Sequence, residues 1–175
     1  MKAIIVRAFG GPEVLRLEEA PDPQPGPGEV LVSVKAVGVN PVEAYLRSGS
    51  YPRKPDLPFT PGTDAAGLVS AVGSGVTVLK PGQRVYVYGA KAGVYAQEAV
   101  AEVSRVFSLP DKLSFEQGAA VGVPFGTAHR ALFHHGKAKK GQTVLIQGAS
   151  GGVGTAAVQL ARAAGLTVIG TAGGP

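Results

Sequence analysis

The 175-residue chain contains no cysteine, no tryptophan and a single methionine. Without cysteine there can be no disulfide, thiolate-ligated zinc, iron–sulfur cluster or cysteine nucleophile; that count leaves the compartment open, with the reducing cytoplasm as the default expectation. Acidic residues also run out early. All 12 lie at or before Glu116, whereas residues 117–175 carry five basic side chains, Arg130, Lys137, Lys139, Lys140 and Arg162, and no acid. The whole formal charge of +5 therefore belongs to the last third of the chain. A basic block suits an anionic ligand, but these five charges are scattered with no aromatic residues interleaved, so nucleic acid is not an expected partner.

Long apolar runs are equally scarce. The opening MKAIIVRAFGG meets Arg7 where a secretory leader needs its apolar middle, so none is expected. The 21 uncharged residues between Lys140 and Arg162 would be long enough to cross a bilayer, but five glycines and three glutamines among them argue against a membrane span.

What is abundant is glycine and proline, 26 and 14 residues, in a chain that is 45% hydrophobic and only 17% charged. That combination predicts a turn-rich globular protein, not a disordered one. Short strands punctuated by these residues are expected in KAIIVRAF, EVLRLEEA, EVLVSVKAVGVN, AAGLVSAVG, QRVYVYG and GVYAQEAVA, forming a small β-barrel or sandwich. The four prolines of residues 21–28 mark an exposed loop. PVEAYLRSG, with proline at the first helical position and a closing glycine, predicts a helix over 41–48.

From Ser114 onward the pattern changes. SFEQGAAV and PFGTAHRALFHHG predict two helices, followed by a strand TVLIQ, the turn GASGGVG, a helix TAAVQLARAAG and a strand LTVIG. Strand, glycine turn, helix and strand make the opening βαβ unit of a parallel sheet. In Ala149-Ser-Gly-Gly-Val-Gly154 the first glycine of the dinucleotide fingerprint is alanine, while Gly151 and Gly154 stand in place. Gly151 presents no side chain to a pyrophosphate, Gly154 permits close helix–strand packing, and the first-turn amides offer an anion site.

The same turn spells G-x-S-x-G around Ser150, the nucleophile elbow of an α/β-hydrolase. The acid and histidine of such a triad follow the serine, and no Asp, Glu or His follows Ser150 in this chain. The absence of an acid near the end of the second strand favours NADPH over NADH, since a carboxylate there would repel a 2′-phosphate. His129, His134 and His135 fall on an expected helix with no carboxylate among them and are read as solvated or core-edge residues, not metal ligands.

Three blocks, GVNPVEAYLRSGSYPRKPDLPFTPGTDAAG at 38–67, GAAVGVPFGTAHRAL at 118–132 and GASGGVG at 148–154, carry a family likeness. The chain resembles the zeta-crystallin-like quinone oxidoreductases, zinc-free members of the medium-chain dehydrogenase/reductase superfamily. The resemblance implies a mixed β and α/β fold: a GroES-like β-barrel catalytic domain over residues 1–123, then the start of a Rossmann NADP-binding domain over 124–175. Where zinc-bearing relatives have a cysteine this chain has Asn40, and where they have Gly-His-Glu it has Gly62, Thr63 and Asp64. No zinc is therefore expected, and the implied reaction is NADPH-dependent reduction of an already electrophilic small molecule, a quinone or an enone.

By the same resemblance Asn40, Tyr45 and Tyr51 are the implied catalytic residues, with a helix cap for Asn40 and core-edge packing for the tyrosines as the alternatives. Tyr45, Thr127, Ser150, Gly151, Gly152, Val153, Gly154 and Gly173 are the implied cofactor contacts. Family members are much longer and associate as homo-oligomers, so the chain reads as the N-terminal part of such an enzyme. Its two-stranded Rossmann sheet is expected to leave an apolar edge and an uncovered face. A zinc-free enoyl or enone reductase, and a non-catalytic crystallin-like or RNA-binding role, are the alternatives in function.

Overall fold

The computed structural model describes residues 1–174, and the chain divides into two compact units, Met1–Gly122 and Val123–Pro175. The first unit is built on an antiparallel five-stranded sheet. Its strands are β3 (Glu29–Val37), β4 (Asp64–Val72), β5 (Arg84–Tyr88), β6 (Glu98–Glu102) and β7 (Val106–Ser108), in the spatial order β6-β3-β4-β5-β7. A hairpin of β1 (Lys2–Ile5) and β2 (Arg16–Glu19) joins the same unit through single bridges from Ala3 to Ala96 and from Val6 to Phe59.

Period-two alternation explains the core. Val30 and Val32 of β3, Val85 and Val87 of β5, and Ala99 and Ala101 of β6 all face inward and are buried, with Val69, Leu79 and Val94 completing the cluster. The sheet coils because β3 and β4 change register between Leu31 and Val32 and again between Val34 and Ala36. A second cluster of Ala66, Leu109 and Ala119 sits under helix α2 (Phe115–Ala119), whose N-cap Ser114 accepts a hydrogen bond from the Gln117 amide at 3.2 Å.

Helix α1 (Pro41–Ser48) leaves β3 through Gly38 and occupies the residues its proline and glycine signals predict. Elsewhere the strands are shorter than the apolar runs. The stretch from Gly93 is irregular until Glu98, because the Val94 and Tyr95 amides donate to the Pro61 carbonyl instead of a ladder partner. The run beginning at Glu13 opens with a 3₁₀ turn at Pro12–Val14 before becoming strand, since proline at the first position favours a turn. The short strand β7 went unread in the sequence.

In the second unit, β8 (Thr143–Gln147) and β9 (Thr167–Thr171) pair in parallel, joined by α4 (Gly152–Ala163). Ile146, Ala156, Ala157, Ala161 and Leu166 are buried with Ala128 and Leu132 in one cluster. The opposite face of the two strands exposes Leu145 and Ile169, as expected of a sheet packed on one side only. The second of the two helices expected after Ser114 departs from regular α geometry. Helix α3 (Gly122–His129) passes directly into a π-wound segment, Arg130–His135, in which the Gly136 amide reaches back five residues to the Ala131 carbonyl. Phe133 packs edge-on against His129, with ring centroids 5.2 Å apart.

Candidate functional site

The polar centre of the first unit lies at the start of α1. Asn40, Glu43 and Asp64 are the buried polar or charged side chains recorded there, with exposures of 8%, 4% and 1%. Asn40 is the N-cap of α1, in extended conformation, and the Glu43 carboxyl accepts a very short hydrogen bond from the Asn40 backbone amide. This is the reciprocal half of a capping box, encoded in the spacing of Asn-Pro-Val-Glu. The Asn40 side-chain amide donates to Asp64 Oδ2 at 3.0 Å and to Glu43 Oε1 at 3.4 Å.

Asp64 stands at the first position of β4, enclosed by glycines that the sequence places where no side chain fits. A Cβ on Gly38 would lie 2.9 Å from the Asp64 Cβ, and one on Gly122 would run into Asp64 Oδ1. Tyr95 donates its phenol to Glu43 Oε2 at 3.1 Å. Burial pushes the Tyr95 phenol well above its ordinary value, and the charge and hydrogen-bond acceptance of Glu43 push it further.

The two tyrosines implied as site residues behave differently from Asn40. Tyr45, on α1, and Tyr51, in the turn after it, are 54% and 40% exposed. They are tied by backbone, because the Ser50 and Tyr51 amides both donate to the Tyr45 carbonyl, at 3.1 and 3.2 Å. Gly49 makes this turn possible at φ 73°, and a Cβ there would press on the Phe9 ring at 2.9 Å. The far end of α1 is fixed to the chain start by the Gly10 amide donating to the Arg47 carbonyl at 3.1 Å.

The glycine turn of the second unit has the architecture of an anion cradle. The first intrahelical bond of α4 runs from the Thr155 amide to the Gly151 carbonyl at 2.8 Å, so the amides of Gly152, Val153 and Gly154 have no acceptor within the helix. Gly151, the N-cap, has extended backbone, and a Cβ there would meet only the Gly148 carbonyl oxygen, at 3.4 Å. Gly154 is a different case. Its Cβ would run into the Gly148 carbonyl oxygen and sit 2.8 Å from the Ala149 Cα, so this glycine lets helix and strand approach.

Ser150 and Val153 are exposed on the same turn, and the Ala149 amide donates to the Thr171 carbonyl at 2.8 Å, joining the turn to the end of β9. Gly173 is exposed just beyond β9, and Thr127 is exposed on α3. No group of three or more His, Cys, Asp or Glu with metal-binding geometry occurs among the described residues. No described helix is long and apolar enough to cross a membrane.

Comparison with known proteins places these features in a class. Residues 26–111 match the alcohol dehydrogenase GroES-like domain. The chain is 53% identical over 174 residues to the quinone oxidoreductases of Mus musculus and Homo sapiens, covering 99% of this chain and 53% of each relative. Among solved structures, the Escherichia coli quinone oxidoreductase complexed with NADPH superposes with a TM-score of 0.90 at 39% identity, over 99% of this chain and 53% of that one. The chain therefore carries a GroES-like domain of the alcohol dehydrogenase type and is similar over its whole length to quinone oxidoreductases. Its relatives include these quinone oxidoreductases and, at 39% identity over 98% of this chain, the Homo sapiens synaptic vesicle membrane protein VAT-1 homolog, and the chain spans about half the length of the quinone oxidoreductases it matches.

Sequence reasoning did not single out Glu43 or Tyr95. The signal for Glu43 was present in its three-residue spacing from Asn40. Tyr95 lies 52 residues from Glu43, and nothing local announces that pairing.

Proposed function

We propose that the chain is part of an NADPH-dependent quinone reductase, in which the second unit holds the cofactor's pyrophosphate and the first presents tyrosine hydroxyls to the acceptor. The observation that carries this reading is the open glycine turn at the head of α4. Three amides without intrahelical acceptors, a helix dipole and a space kept clear at Gly151 are a donor set matched to a diphosphate. The absence of any acid after Glu116 supports NADPH over NADH, and the quinone oxidoreductase relatives support the acceptor.

When bound, the reduced nicotinamide supplies the reducing equivalents that a quinone accepts. The residues of this chain then have three tasks. The amides of Gly152, Val153 and Gly154 neutralise phosphate charge, with Ser150 offering a hydroxyl at the same turn and Gly173 leaving the end of β9 clear. Tyr45 and Tyr51, exposed and tied to each other, donate hydrogen bonds to the acceptor's carbonyl oxygens, which become more basic as electrons arrive. Thr127, exposed on α3, would offer the cofactor a further hydroxyl. Because the quinone is already electrophilic, the reading needs no Lewis acid, and it uses no metal.

The test is NADPH oxidation followed by absorbance, with a soluble naphthoquinone as acceptor and an α,β-unsaturated ketone in parallel. Quinone-dependent oxidation, abolished in Gly151→Ala and reduced at least about tenfold in Tyr45→Phe, is the expected result. Failure of the chain to bind NADPH would overturn the reading, and turnover of the ketone in preference to the quinone would overturn its substrate.

A further inference from the structure

Glu43 carries an unusual load for one carboxyl group. It accepts from the Asn40 backbone amide, the Thr63 backbone amide at 3.0 Å, the Tyr95 phenol at 3.1 Å and, more weakly, the Asn40 side chain at 3.4 Å. A carboxylate has about four lone-pair directions, so these donors fill it. They come from the head of α1, the residue before β4, and the irregular segment before β6. That last segment is itself fastened to β1, where the Ile4 amide donates to the Tyr95 carbonyl at 2.8 Å. Gly62, at φ 101°, clears the space that the Tyr95 ring occupies, since a Cβ there would run into the ring.

Asn40 is consumed by the same network. Its side-chain amide has two hydrogens, and Asp64 and Glu43 take them both. A buried amide donating to two buried carboxyl groups has no hydrogen left to offer a ligand. The groups free to meet one are the phenols of Tyr45, two residues beyond Glu43 on α1, and Tyr51.

From this geometry we propose that Glu43 is the positioning residue of the first unit: it fixes the head of the tyrosine-bearing helix against β4 and Tyr95, and Asn40 acts through this network instead of contacting substrate. The proposal rests on the quinone-reductase reading for its catalytic consequence, and on the network alone for its structural one. The two are separable by experiment.

The test uses Glu43→Gln and Tyr95→Phe in the intact chain, with Val85→Ala as a control that weakens the same unit's core without touching the network. In ¹H–¹⁵N spectra, the Asn40 and Thr63 amides are expected to shift strongly in Glu43→Gln, and the ring resonances of Tyr45 and Tyr51 to move with them. An ultraviolet titration of the phenols is expected to show Tyr95 ionising at lower pH in Glu43→Gln than in the parent. Neither change is expected in Val85→Ala. In the quinone assay, KM for quinone is expected to rise about three- to tenfold in Glu43→Gln with NADPH affinity unchanged, a loss on the order of one ordinary hydrogen bond.

Tyr95→Phe, which keeps the ring and loses only the hydroxyl, is expected to give smaller changes in the same amides and serves if Glu43→Gln does not fold. Unmoved Asn40, Thr63 and tyrosine resonances in a folded variant, or equal changes in Val85→Ala, would overturn the positioning role. Absence of quinone turnover in the parent, with the spectral changes intact, would overturn the quinone reading and leave the network standing.

Discussion

At the scale of single residues, two glycines three positions apart carry opposite consequences. Alanine at Gly151 adds a methyl that meets only the Gly148 carbonyl at ordinary contact distance, on a backbone any residue adopts, so the fold should survive within about 0.5 kcal/mol while the cradle is filled. Alanine at Gly154 collides with the Gly148–Ala149 backbone in the turn that follows β8 and should destabilise the second unit by about 1–3 kcal/mol, on the order of an overpacked core site. Circular dichroism melts of the two variants check the contrast, and equal melting behaviour would refute it. Tyr95 sets a pH dependence. Its phenol ionises at higher pH in the folded chain than in the unfolded one, because burial and the Glu43 carboxyl both oppose the phenolate. The unfolded state therefore loses its proton first, and stability should be undiminished by this group below about pH 10 and fall as pH rises beyond it. Chemical denaturation at a series of alkaline pH values measures that slope, and Tyr95→Phe should flatten it.

At the scale of elements, α1 shows how much the sequence discloses and where it stops. Pro41 and Gly49 announce the two ends of this helix, and the structure observes both. TVLIQ, the glycine turn and the two flanking elements of the βαβ unit were equally readable, because strand and helix periods change sharply across the turn. The π-wound end of α3 was not, since its apolar spacing resembles an ordinary helix, with Leu132 buried and Phe133 half-buried as either winding allows. Nor was the shortness of β6, which follows from amides of the preceding segment pairing with Pro61, over 30 residues away in sequence. The candidate site divides the same way. The glycine turn at the head of α4 is contiguous and legible, whereas the Glu43 network gathers residues from three separate segments. Gly49 gives an element-level prediction: Gly49→Ala, strained at φ 73° and pressed against Phe9, should cost about 1–2 kcal/mol in urea denaturation and lower the helical content of α1. An unchanged midpoint would contradict the capping account.

At the scale of the whole molecule, the two units have separate cores and very different charge. The residues through Glu116 balance 12 basic against 12 acidic side chains, while the rest of the chain holds only positive charge. Every ion pair recorded lies in the first unit, as in Arg7 with Glu18 at 2.7 Å and Lys91 with Glu29 at 3.1 Å. Added salt should therefore stabilise the second unit by screening its repulsion while leaving the first nearly unchanged, and amide exchange read residue by residue distinguishes them. Equal salt response in both units would contradict this. The same positive field favours a polyanionic ligand at the head of α4. Fluorescence titration of the chain with NADPH and with NADH, in the parent and in Gly151→Ala, should show NADPH bound more tightly than NADH, weakened by salt, and lost in a variant that remains folded. Equal binding of NADPH by parent and Gly151→Ala, or none by the parent, would contradict the account.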